Sequence, residues 1–132
     1  MDRRVINPWT WQDQFGFVQA NEISGAQRTL MCAGQTSVDE DGNPINAGDM
    51  KGQLSQCLAN LETVLKEAGF GLGDVVRLNY YTTDVSAFIE SAEEALGSRM
   101  AAVGCRPAST LLGVASLFHP DIIIEIEATA VV

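Results

Sequence analysis

The spacing of apolar positions changes along the chain, and each change marks an element. From Asp49 to Ala68, Leu54, Cys57, Leu58, Leu61, Val64, Leu65 and Ala68 recur at steps of three and four, the stripe of one amphipathic helix face. Gly69 then supplies a residue that enters the left-handed conformation at a helix end without a Cβ penalty. After Gly73-Asp74 the period drops to two. Val76, Leu78 and Tyr80 alternate with Arg77, Asn79 and Tyr81, which predicts a strand over Val75–Thr82 buried mainly on one face. Asp84 is an N-cap by chemistry, since its carboxylate accepts unpaired amides of a first turn, and Val85, Phe88, Ile89, Ala92, Leu96 and Met100 form a second helical stripe.

The flanks read as β structure. Val5-Ile6 and Phe15–Ile23 are expected to form an opening strand or ragged hairpin arm ending at Ser24-Gly25-Ala26, and Thr29–Ala33 a short buried strand closed by Gly34. Asp39–Pro44 is a turn, because Gly, Asn and Pro supply the dihedrals of tight reversals. Cys105–Val114 and Ile122–Val132 are apolar or β-branched runs separated by Ser116–Asp121, expected to pair antiparallel. The order of elements predicts a single α+β domain over residues 1–132, a mixed sheet with both helices on one face.

Composition adds a partner. Only 19% of residues are charged, against roughly 25% in an average globular chain, and the apolar side chains exceed what one small core needs. The uncovered sheet face is therefore expected to pack against copies of the same chain. Eight Lys and Arg against seventeen Asp and Glu leave a net charge of −9, which disfavours nucleic acid and anionic membranes as partners. No apolar run approaches the roughly 20 residues that span a bilayer. Cys32, Cys57 and Cys105 fit neither a disulfide framework nor a CxxC metal site, so a reducing cytoplasm is the expected setting, with no metal.

Few residues offer chemistry. His119 sits in a loop before Pro120 with no evident partner to position its ring, and reads as a loop histidine. The cysteines lie on apolar stripes and read as small hydrophobes, although Arg106 beside Cys105 raises the question of a reactive thiol. Glu125 and Glu127 are more informative. In a strand they share one face with Ile123, Thr129 and Val131, while Ile122, Ile124, Ile126, Ala128, Ala130 and Val132 make the other wholly apolar. Two carboxylates among apolar neighbours are functional acids, a solvated strand surface, or an ion pair between copies. Ala33-Gly34-Gln35 is a small-residue turn where backbone can approach a ligand.

Taken together, several segments resemble the RidA/YjgF family of small homotrimeric proteins, labelled enamine/imine deaminase or, in older usage, endoribonuclease L-PSP. They are Cys32-Ala-Gly-Gln35, the helix residues Gln53, Asn60-Leu61, Leu65 and Ala68-Gly69, then Gly73-Asp-Val-Val76, Thr83-Asp84 with Phe88, Pro107-Ala108, and above all Ile124-Glu-Ile-Glu-Ala-Thr-Ala130. The resemblance implies a chorismate-mutase-like fold. It also implies three sheets lining a trimeric barrel, ligand clefts between subunits, and no cofactor.

By the same resemblance, Glu125 aligns with an acid that helps position or activate water. Phe17, Ala33, Gly34, Ser109, Thr110 and Leu111 fall on substrate-binding positions. Three of these depart from the family. Deaminating members carry after Pro-Ala an arginine that grips a substrate carboxylate in a bidentate way; here it is Ser109. Phe17 replaces a tyrosine and Ala33 the serine of the Ser-Gly-Gln turn. Arg106, three residues from Ser109, points to the opposite side of a regular strand. The expected function is thus a deaminase-type hydrolase of diverged specificity at an interface cleft. The competing readings are a non-deaminating small-molecule binder and, least favoured by so acidic a chain, an endoribonuclease.

Overall fold

A computed structural model describes residues 1–132. Its core follows from the two periodicities. Helix α1, Met50–Glu67, starts where the Asp49 carboxylate accepts the Gly52 amide at 2.9 Å and is followed by Gly69 at φ +79°. Its stripe Leu54, Cys57, Leu58, Leu61 and Leu65 is fully buried against one face of a sheet. Helix α2, Val85–Ala92, is capped by Asp84, whose carboxylate accepts the Ala87 amide at 3.0 Å. A π-turn at Glu93–Gly97 interrupts the predicted second helix before α3, Ser98–Ala102. The stripe is buried only in part: Phe88, Leu96 and Met100 are inside, and Ile89 is 64% exposed.

The strands are β1 (Asp2–Ile6), β2 (Ala20–Ser24), β3 (Thr29–Met31), β4 (Gln35–Thr36), β5 (Val75–Thr82), β6 (Ala108–Gly113) and β7 (Ile124–Val131). β1 and β2 form a separate antiparallel hairpin, and Phe15, the first residue of the expected Phe15–Ile23 arm, instead ends a 3-10 turn over Trp11–Phe15. The reason is Gln12, fully buried, which donates to the Trp9 carbonyl at 2.8 Å and accepts from Gln19. The main sheet runs β3, β7, β5, β6, with β4 also on β7. β6 does not pair with β7. It lies parallel to β5, and β5 separates it from the antiparallel β7, so the expected antiparallel pair is corrected to a crossover. The helical segment Val85–Ala102 that precedes β6 provides the long connection a parallel neighbour requires.

β7 is as its alternation predicts: Ile124, Ile126, Ala128 and Ala130 are buried beneath the helices while Glu125, Glu127 and Thr129 face the other way. In β5 the register slips between Val75 and Arg77. This bulge puts Val75, not Val76, in phase with the buried Leu78 and Tyr80. β3 is not buried in a single copy, since Met31 on the uncovered face is 82% exposed. No helix is long and apolar enough to cross a membrane.

Candidate functional site

Glu125 sits near the start of β7, flanked by Thr36 of β4 and Tyr81 of β5. The register of the edge strand explains its closest neighbour. Met31 faces Thr129 and Gln35 faces Ile126, so the edge advances four residues while β7 advances three. The extra residue is a bulge, the kind of defect that re-aims groups beside functional sites. It brings Gly34 under the Glu125 side chain: a Cβ built on Gly34 would collide with the carboxylate and lie 2.6 Å from Cδ. Only glycine fits beneath an acid so placed. Ala33 is exposed beside it, and its carbonyl accepts the Gln35 side-chain Nε2 at 3.1 Å.

Glu127, one step along the same face, is held differently. Its Oε1 accepts the Tyr81 hydroxyl at 2.7 Å and the Asn79 amide at 3.2 Å. These two donors, the phenol first, keep the carboxyl below its ordinary pKa, and the same bond raises that of Tyr81. Arg77 donates to the Thr110 hydroxyl at 3.1 Å across to β6. Arg77, Asn79 and Tyr81 were legible only as the polar phase of an alternating strand. That phase, matched residue by residue to the Glu125 and Glu127 phase of β7, is the signal that places them together.

Ser109 and Glu125 do not meet in one copy. Leu112 of β6, Tyr81 and Glu125 stand in one row, and Ser109 lies three residues earlier, beside Leu78. With strands about 4.8 Å apart and a rise of about 3.3 Å per residue, the two are separated by roughly 10 Å across the sheet and 10 Å along it. Ser109 and Leu111 also face the helix side with Leu78 and Tyr80, and Leu111 packs on the core, whereas Thr110 shares the Glu127 face. Near Ser109 the chain from the N-terminal turn arrives: Val18 bridges Ala108 and donates to the Pro107 carbonyl at 3.0 Å. Phe17 stacks edge-on to Trp11 with centroids 5.9 Å apart. Arg106 is exposed before β6, 3.6 Å from Asp13.

Burial pushes the Cys57 thiol up to about 12 and that of Cys105 to about 11, so Cys105 is an inert core thiol despite Arg106. Half-buried Cys32 is raised for the same reason. His119 accepts the Asp121 backbone amide on Nδ1 at 3.0 Å, within its own loop. No three His, Cys, Asp or Glu side chains are grouped to hold a metal ion.

A mixed sheet with both helices on one face, an open second face and an acid folded over a bulged glycine describes a known class of small α+β protein. Residues 14–132 match the family model described as endoribonuclease L-PSP, and the chain belongs to that family, also called RidA/YjgF. A RutC family protein of Pyrococcus horikoshii is 35% identical over 76% of this chain and 77% of its own length. The 2-iminobutanoate/2-iminopropanoate deaminase of Salmonella typhimurium is 32% identical over 77% and 78%. Among solved structures, a protein of unknown function from the conserved Rid family of Yersinia pestis superimposes with a TM-score of 0.82 at 40% identity, over 100% of both chains.

Proposed function

We propose that the protein is a homotrimeric hydrolase of C=N bonds, of the enamine/imine deaminase type, with its clefts between copies. The observation that carries this reading is Glu125 lying across Gly34 at a bulged sheet edge, which fixes a carboxylate beside an approachable backbone. Ser109 and Glu125 stand too far apart in one copy to share a substrate, so a second copy completes the cleft. Glu125 accepts a proton from water as the water oxygen bonds to the imine carbon. Glu125 returns that proton to the nitrogen, giving a carbinolamine; it then takes the hydroxyl proton as the carbonyl forms and the C–N bond breaks, and passes it to the departing nitrogen, which leaves as ammonia. The likeness to a named 2-iminobutanoate deaminase supports the reaction class.

Ser109 favours a second reading beside it: a cleft that takes a less anionic ligand and turns over 2-iminoacids poorly or not at all. A bidentate guanidinium to a carboxylate supplies hydrogen bonds of about 1.5–3 kcal/mol each, and a serine cannot replace them. The test is ammonia release from imines generated in place, with Glu125→Ala beside the wild type, together with light scattering. The expected results are a mass three times 14.2 kDa, turnover of at least one uncharged imine, and its loss in the variant with the trimer intact. A monomer at all concentrations, or unchanged turnover in Glu125→Ala, rejects the hydrolase.

A further inference from the structure

β4 is only two residues long, yet its register decides where Gly34 falls, since Gln35 pairs with Ile126 and Thr36 with Glu125. So short a ladder specifies register weakly. A slip by one residue turns each side chain of a strand to the other face, and here it would carry Gly34 off the Glu125 carboxylate.

The hold on β4 comes from α1, behind the sheet. Asn60 Nδ2 donates to the Thr36 carbonyl and to the Val38 carbonyl, both at 3.0 Å. These two bonds grip the backbone on either side of Ser37, which is fully buried. Gln56, one turn earlier on the helix, donates Nε2 to Asn60 Oδ1 at 2.9 Å. The Asn60 oxygen is thereby committed to Gln56 and its two N–H donors to β4.

The same helix holds the other partner of the pairing. Gln53 accepts the Ile123 amide at 3.0 Å, and the Cys57 thiol donates to the Ile124 carbonyl at 3.8 Å, on the two residues that lead into Glu125. Gln53, Cys57 and Asn60 follow at steps of four and three, so one stripe of a rigid helix grips the start of β7 and β4 together. All of these bonds lie within one chain. None of those made by Asn60 reaches Glu125 itself.

We propose that Asn60, oriented by Gln56, is a positioning residue for the hydrolysis: it fixes the register of β4 that presses Gly34 against Glu125. The inference rests on the reading of Glu125 as the hydrolytic acid.

Turnover of an imine generated in place, and the Glu125 carboxyl carbon NMR resonance, test this in Asn60→Asp, Gln56→Leu and Leu65→Ala. Aspartate keeps an acceptor for Gln56 but has no donor for the two carbonyls. The expected result for Asn60→Asp is a kcat at least about tenfold lower with KM within about twofold, and a displaced Glu125 resonance. Gln56→Leu should do the same to a smaller degree. Leu65→Ala removes buried packing more than a turn beyond Asn60, so it should lower stability and leave kcat and the resonance as in the wild type. In the Gly34→Ala background, Asn60→Asp should lower kcat no further. The proposal is overturned if the Glu125 resonance stays in place in folded Asn60→Asp, or if Leu65→Ala lowers kcat as much. If Asn60→Asp does not fold, an unmoved resonance in Gln56→Leu overturns it instead. Absence of turnover in the wild type rejects the hydrolase reading alone, and the resonance then decides the placement by itself.

Discussion

The Glu125 carboxylate occupies the space where a side chain at Gly34 would begin. Gly34 is not in the left-handed region, so the constraint is contact and not backbone strain. In Gly34→Ala the acid must swing away, and because it ends a flexible side chain the stability cost stays within about 1 kcal/mol. Hydrolysis falls at least about tenfold, since misplacing a catalytic group by about 1 Å costs up to a hundredfold. Thermal unfolding and turnover, measured in the wild-type and Glu125→Ala backgrounds, separate the two effects: the alanine should cost nothing further once the acid is gone.

Tyr81 and Glu127 make a pH-dependent bond. The folded-state pKa of Glu127 is depressed, so its contribution to stability is present above the ordinary glutamate range, about 4.3, and is lost as pH falls through the lower folded value. Tyr81→Phe should bring the Glu127 titration, followed by carboxyl carbon NMR, up toward the ordinary value. Its destabilisation should be visible at neutral pH and should vanish in acid. A Glu127 titration that does not move in Tyr81→Phe would show that the phenol is not the cause.

Gln53 is fully buried on α1 and satisfies three backbone groups from two loops. It donates to the Asp121 carbonyl at 2.7 Å and the Asn46 carbonyl at 3.2 Å, and accepts the Ile123 amide at 3.0 Å. Gln53→Leu leaves those groups unpaired in an apolar setting, for an expected loss of about 2–4 kcal/mol in urea unfolding. Amide exchange at Ile123 should quicken before the rest of the sheet opens.

Ser109→Arg should raise turnover of iminoacids made in place by an amino acid oxidase, because it restores the five-donor guanidinium at the position where deaminating members of the family hold a substrate carboxylate, on an edge strand that a second copy can approach. The gain is partial, as Phe17 and Ala33 lack hydroxyls and each missing hydrogen bond is worth about 0.5–1.5 kcal/mol. Ammonia release by wild type and variant side by side decides it. Fast turnover of iminoacids by the wild type, not raised by the arginine, would mean that Ser109 did not change the specificity.

Much of this was written in the chain itself. The three-and-four spacing of α1, its Asp49 cap and Gly69 stop, the alternation of β7 and the Asp84 cap all act within a few residues, so local sequence determines them. The two-faced character of Ile124–Val131, with Glu125 and Glu127 together, needs only the period of a strand. Tertiary structure decided what depends on distant partners. β6 and β7 carry equally apolar runs, and nothing in either tells that β5 lies between them; the crossover through α2 and α3 does. The bulges at Val75 and before Gln35 are differences in register between two strands, invisible in either alone, yet they select Val75 for the core and press Gly34 against Glu125. The 3-10 turn at Trp11–Phe15 exists because a buried Gln12 finds the Trp9 carbonyl and Gln19, a satisfaction that no periodicity encodes. Neighbours along the chain set the elements, and hydrogen-bond partners far apart in it set which side chains of those elements face one another.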